Sequence, residues 1–178
     1  MTTKYIFDFQ STGSVGPDIL GGKGFGLSKM TQIGIPVPPG FVVSTDACKV
    51  FYDHGNTLTD EFWQDFDTQL TVVERQTGKK FGGSVNPLLL SVRSGAPISM
   101  PGMMDTILNI GLNDESVLAL AKSSGNRHFA FDSYRRLVQM YGEVVEGIDK
   151  RVFEGVMTLV LDKELAGSPI ELSEHGLV

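Results

Sequence analysis

Apolar positions alternate in short runs over the first part of the chain and recur at helical spacing over the rest. Tyr5, Phe7 and Phe9 predict a strand with those three side chains on one side and Ile6 on the other. Phe25, Leu27, Met30 and Ile33 come close to helical spacing, and Gly34 is placed to stop that helix. Ile35-Pro36-Val37-Pro38-Pro39-Gly40 must run extended, since proline lacks a donor and biases the residue before it away from helix. Phe41-Val42-Val43 then reads as a strand, and Ser44 or Thr45 caps a helix ending near Gly55. Phe62, Phe66, Leu70 and Val73 give residues 60–77 an amphipathic helix stopped by Gly78. Leu88 to Arg93 predicts a buried strand whose charged end reaches a cleft, and Thr106 to Ile110 predicts a second strand.

From Asp114 the pattern becomes helical. Phe131, Tyr134, Val138, Tyr141 and Val145 form a seam spaced three and four apart, and Val152 to Leu165 predicts another helix before Gly167. Ser168-Pro169-Ile170-Glu171 has the form of a capping box with few residues behind it, which predicts an end that is frayed or cut short. The expected fold class is α+β, a mixed α/β part over residues 1–113 followed by a helical part over 114–178. No internal repeat is present.

Composition narrows the setting. With 178 residues and 41% hydrophobic content, the chain can bury a core of ordinary domain size. Its 21 glycines exceed the usual ~7% but are dispersed, so they mark turns and close approaches and not low complexity. A net charge of −6 gives no general nucleic-acid surface, so any phosphate must be held by a few placed cations. Cys48 is the single cysteine, which excludes an internal disulfide and points to a reducing, cytoplasmic setting. No run approaches the ~20 apolar residues of a membrane span, and the first residues carry no secretion signal.

Four strings can carry chemistry. Gly21-Gly22-Lys23-Gly24 precedes a helical pattern, where backbone N–H groups and the helix terminus favour an anion and a lysine adds a point charge. It fits neither a Walker A loop nor Gly-x-Gly-x-x-Gly, and a glycine turn with a solvated lysine accounts for it equally. Arg93, in Ser91-Val92-Arg93-Ser94-Gly95, offers a planar fork for two phosphate oxygens, or else a salt bridge to a neighbouring helix. Ser99-Met100-Pro101-Gly102-Met103-Met104-Asp105-Thr106 places soft methionines either in a core or against a flat base. Asp105 can bond its own loop as readily as touch a metal. Arg135 and Arg136 are adjacent on a helix and diverge by about 100°, so one can reach a cleft while the other sits in water. His54, His128 and His175 have no ligand spacing, and no metal ligand is assigned.

Taken together, these strings resemble one family. Leu20 to Gly24 with Ile35 to Phe41, Ser91 to Leu112, and Phe129-Ala130-Phe131-Asp132-Ser133-Tyr134-Arg135-Arg136 look like the N-terminal nucleotide-binding domain of the pyruvate, phosphate dikinases. The first string is shared with related dikinases, whereas Met-Pro-Gly-Met-Met-Asp-Thr is more particular to this family. The resemblance implies the N-terminal portion of an ATP-grasp domain. It further implies transfer of the ATP β-phosphoryl group to a histidine on another domain, with AMP and pyrophosphate formed and pyruvate converted to phosphoenolpyruvate. By position it implies that Lys23, Arg93 and Arg136 contact phosphates and that Gly102, Met104 and Thr106 line the nucleotide. ATP/AMP, phosphate and the enzyme's remaining domains are the implied partners, with Mg2+ held by carboxylates that these residues do not include. His175 lacks the Gly-Gly-x-Thr-Ser context of the family's carrier histidine, so no catalytic residue is assigned. These 178 residues are expected to grip ATP weakly or not at all and to show no dikinase turnover, with apolar surface left exposed, including the seam from Phe131 to Val145, and self-association a consequence. The competing reading is a stand-alone, non-catalytic nucleotide- or partner-binding module.

Overall fold

A computed structural model of the chain describes residues 4–95 and 105–177. Packing divides the chain into two units, one of Met1–Gly78 with Ser94–Met104 and the other of Lys79–Arg93 with Asp105–Val178. The change in character near residue 113 is a change in which elements are present; the packing boundaries fall elsewhere. Among the described residues no helix is long and apolar enough to cross a membrane.

In the first unit, β1 (Ile6–Asp8) pairs antiparallel with β2 (Phe41–Val43), with Phe7 opposite Val42. Both faces of this ribbon are covered, which is why its strands are apolar at nearly every position. Ile6 packs with Ala47 and Phe62, while Phe7 and Val42 pack with Leu20 and the flanking Phe9 and Phe25. Phe7 and Phe9 thus share a side as the alternation predicts, but Tyr5 lies before the strand and packs in the Ile6 cluster.

Helix α1 (Pro17–Gln32) starts earlier than its apolar spacing predicts, with Pro17 in its first turn. Gly21 then leaves helical geometry at φ 67°, ψ 159°, and the helix resumes after it. Its end is a Schellman closure: Ile35 N–H reaches Met30 O, Gly34 N–H reaches Thr31 O, and Gly34 has φ 82°. Ser44 caps α2 (Thr45–Asp53), Thr59 caps α3 (Asp60–Thr77), and Gly78 closes α3 in the left-handed region.

In the second unit, short parallel strands β3 (Lys80–Phe81) and β4 (Pro87–Leu88) precede an antiparallel pair, β5 (Leu90–Arg93) and β6 (Thr106–Ile110). The single buried strand expected over Leu88 to Arg93 is therefore two strands broken at Leu89. Only Leu88 is fully buried, and Val92 is 52% exposed, because β5 pairs only with β6 in a two-stranded ladder. Three helices follow: α4 (Ser116–Ser124), α5 (Arg127–Val144) and α6 (Lys150–Glu164). Asn113 starts α4 in effect, since its Oδ1 accepts from Glu115 and Ser116 N–H at 3.0 and 2.7 Å.

The core of this unit gathers Ile107, Leu112, Val117, Ala121, Ala130 and Leu137. Helix α5 buries Ala130, Ser133, Leu137 and Gly142, not the whole seam from Phe131 to Val145. Phe131 and Tyr134 flank the core, whereas Val138, Tyr141 and Val145 are about half exposed. Small residues allow the close approach, and the large ones lie to either side of it. The described residues after α6 are docked on the unit. Leu172 and Leu177 are buried, Arg127 pairs with Glu174 at 2.6 Å, and Glu164 accepts from Ser173 N–H and Oγ at 2.7 and 2.6 Å.

Candidate functional site

Lys23 stands two residues after the Gly21 break, in the turn where α1 resumes. Its Nζ donates to Ser94 O at 3.3 Å, a long contact that leaves the ammonium partly exposed. Gly24 has a role that sequence spacing did not show. A Cβ there would lie 2.9 Å from both methyls of Val42, so this glycine seats α1 on the ribbon.

Arg93 is the last residue of β5 and Thr106 the first of β6, and they are register partners. The Ser91 to Leu112 string is thus one antiparallel hairpin whose connection is the methionine-rich stretch. Arg93 is exposed, and among the described residues its guanidinium has no partner. Among the described residues Arg93 makes no salt bridge to a neighbouring helix. Gly102 and Met104 lie outside the described residues.

Of the two adjacent arginines only Arg136 lines a cavity, yet both arms close on one aspartate. Asp132 Oδ1 accepts from Arg135 Nε at 3.0 Å and Nη2 at 2.8 Å, while Asp132 Oδ2 meets Arg136 Nε at 2.8 Å. Positions three and four residues on flank the same spot of a helix surface, and guanidinium arms are long enough for both to close on it. The network continues from Arg135 Nη1 to Gln139 at 3.1 Å and from Gln139 to Glu143 at 2.8 Å. Arg135 is 18% exposed, whereas Arg136 is 64% exposed with no other partner among the described residues.

Arg136 borders an open cavity of about 500 Å³, also lined by Leu108 and Asn109 of β6 and by Phe129, Ser133 and Met140 of α5. That volume lies within the ~300–1,000 Å³ of small-molecule sites. Asn109 enters the lining at φ 62°, a conformation uncommon outside glycine and found at functional sites. Neither the Asp132 bridge nor Asn109 was singled out from sequence, although an aspartate three and four residues before two arginines is a readable signal.

The first unit holds a second open cleft, lined by Asp8, Ser11, Thr31, Pro38, Gln69 and Gln76. Asp8 Oδ1 accepts from Gln10 and Ser11 N–H, each at 2.7 Å, and Oδ2 accepts from Ser11 Oγ. Burial pushes its carboxyl up, but the Ser11 and Gln10 hydrogen bonds and the Lys4 charge outweigh that and hold it below its ordinary value. In the second unit, burial and then the Asp114 carboxylate, bonded at 2.9 Å, hold the Tyr134 hydroxyl above its ordinary value. Among the described residues no group of three His, Cys, Asp or Glu side chains converges on a metal position. His54 is bonded to Val50 O and His128 to Pro169 O.

A family model described as "Pyruvate phosphate dikinase, AMP/ATP-binding domain" matches residues 17–68, a span that contains Lys23. Pyruvate, phosphate dikinase of Entamoeba histolytica is 49% identical over 149 residues, covering 84% of this chain and 17% of the relative. The enzyme of Clostridium symbiosum is 46% identical over 161 residues, covering 90% and 18%. The chloroplastic enzyme of Mesembryanthemum crystallinum is 46% identical over 179 residues, covering 94% and 19%. The chain thus spans less than a fifth of the length of these relatives.

Proposed function

Because the chain corresponds in sequence to the N-terminal part of pyruvate, phosphate dikinases, we propose that it grips the phosphates of ATP for that reaction. The whole reaction interconverts ATP, phosphate and pyruvate with AMP, pyrophosphate and phosphoenolpyruvate, through a phosphohistidine carried on another domain. Lys23, Arg93 and Arg136 are the phosphate contacts in this reading, and Gly102, Met104 and Thr106 line the nucleotide. The finer architecture is that of an ATP-grasp domain.

The observation that carries the proposal is the Arg93–Thr106 rung. It fixes an arginine with no partner among the described residues at the end of the hairpin whose connection holds the methionine-rich stretch. Phosphoryl transfer needs little covalent help from protein, so cations held against shifting phosphoryl charge supply most of its catalysis. Cys48, alone and exposed, supports a reducing, cytoplasmic setting.

Calorimetric titration with ATP tests the reading. Arg93→Ala is expected to weaken binding about tenfold or more, and Lys23→Ala in the same direction by less, as for lost charge-assisted hydrogen bonds. Binding untouched by both substitutions would sink the proposal. Capture of a protein partner with no ATP dependence would favour the non-catalytic module. No phosphoenolpyruvate is expected from the 178 residues alone supplied with ATP, phosphate and pyruvate.

A further inference from the structure

Two arginines share one carboxylate on α5, and they are held unequally. Asp132 spends Oδ1 on both Nε and Nη2 of Arg135, which is 18% exposed and further tied to Gln139. Oδ2 pairs with Nε of Arg136 at 2.8 Å. That ion pair holds the second guanidinium beside Asp132 and leaves its terminal amino groups without a hydrogen-bond partner among the described residues. A surface arginine otherwise samples many rotamers, and each must be given up on binding. An arginine paired with a nearby carboxylate enters binding with part of that freedom already lost.

We propose that Asp132 is a positioning residue that braces Arg136 so that its Nη1 and Nη2 present a fork to two oxygens of a bound phosphate. This rests on the reading of Arg136 as a phosphate contact. Arg135 serves the same end indirectly. Its bonds to Asp132 and Gln139 anchor the carboxylate from the other side, and Asp132 is itself 19% exposed.

A double-mutant cycle with ATP as the titrant tests the brace. Asp132→Asn is expected to weaken binding about fivefold in the unaltered background and to have no further effect once Arg136→Ala is present, the signature of coupled residues. A loss that persists beside Arg136→Ala would show general damage to the unit and overturn the proposal. Asp132→Glu, which keeps the charge and can reach the same two arginines, is expected to recover most of the affinity. Its failure to do so while remaining folded counts against the brace. An affinity that is unchanged or tighter in Asp132→Asn also overturns it, the second because the carboxylate would then act on the phosphate chiefly as a like charge. If Arg136→Ala leaves ATP binding intact, the reading of Arg136 as a phosphate contact fails, and this inference fails with it.

Discussion

Gly24 and Gly26 stand two residues apart in α1, yet substitution is expected to move stability in opposite directions. A Cβ at Gly24 would meet both methyls of buried Val42 at 2.9 Å, and a β-branched side chain cannot swing away. Gly24→Ala is therefore expected to destabilise by about 1–3 kcal/mol, as overpacking does. A Cβ at Gly26 meets nothing within 4 Å, so Gly26→Ala is expected to stabilise by about 0.5–1 kcal/mol through backbone entropy alone. Thermal or urea unfolding of the two variants checks the contrast. Asp8 makes a pH prediction at the same scale. Its carboxyl lies below 3.8 in the folded state, so its stabilising contribution is full above that value and disappears as pH falls through the folded pKa. Asp8→Asn is expected to remove this part of the acid loss, read as a flatter stability curve below about pH 4. Sequence showed which cations to consider, Lys23, Arg93 and Arg136. It did not show what each one touches, because Ser94 O, Thr106 and Asp132 become neighbours only through a turn, a ladder and a helix face.

The helix ends were the most legible elements. Ser44, Gly34 and Gly78 act where their side chain or free φ predicts, since capping is decided by a few adjacent residues. Burial was less legible, because it depends on what lies opposite. The run from Leu88 to Arg93 looks buried by its residues, yet β5 has only β6 beside it and keeps Val92 half exposed. Helix α5 hides Ala130, Ser133, Leu137 and Gly142, while Val138 and Tyr141 of its seam stay about half exposed, as an uncovered apolar face would. Helix α6 is the extreme case. It buries no residue fully and exposes Val152, Val156 and Leu159, spaced four and three apart on one face. Such a stripe favours association. Val156→Lys with Leu159→Glu is expected to lower the weight-average mass at high protein concentration, measured by sedimentation equilibrium. An unaltered, strictly monomeric chain would contradict this.

At the scale of the molecule, the sequence showed an α/β part giving way to helices but not the interleaving of the two packing units. The second packing unit takes up residues 79–93 and resumes at Asp105, with its paired strands β5 and β6 on either side of that break. Local patterns carry no record of such returns, because the pairing of Arg93 with Thr106 is a long-range fact. The arrangement has a consequence for synthesis on the ribosome. Residues 4–78 hold nearly all the elements of their unit, so they can condense as they emerge. Residues 79–93 come out next, but their partners in β6, α4 and α5 are not yet translated. Until then Val92, Leu88 and the open edge of β5 are exposed to whatever is nearby. A pause in translation between residues 94 and 130 is thus the interval in which the nascent chain is most exposed to mispairing and most in need of a chaperone.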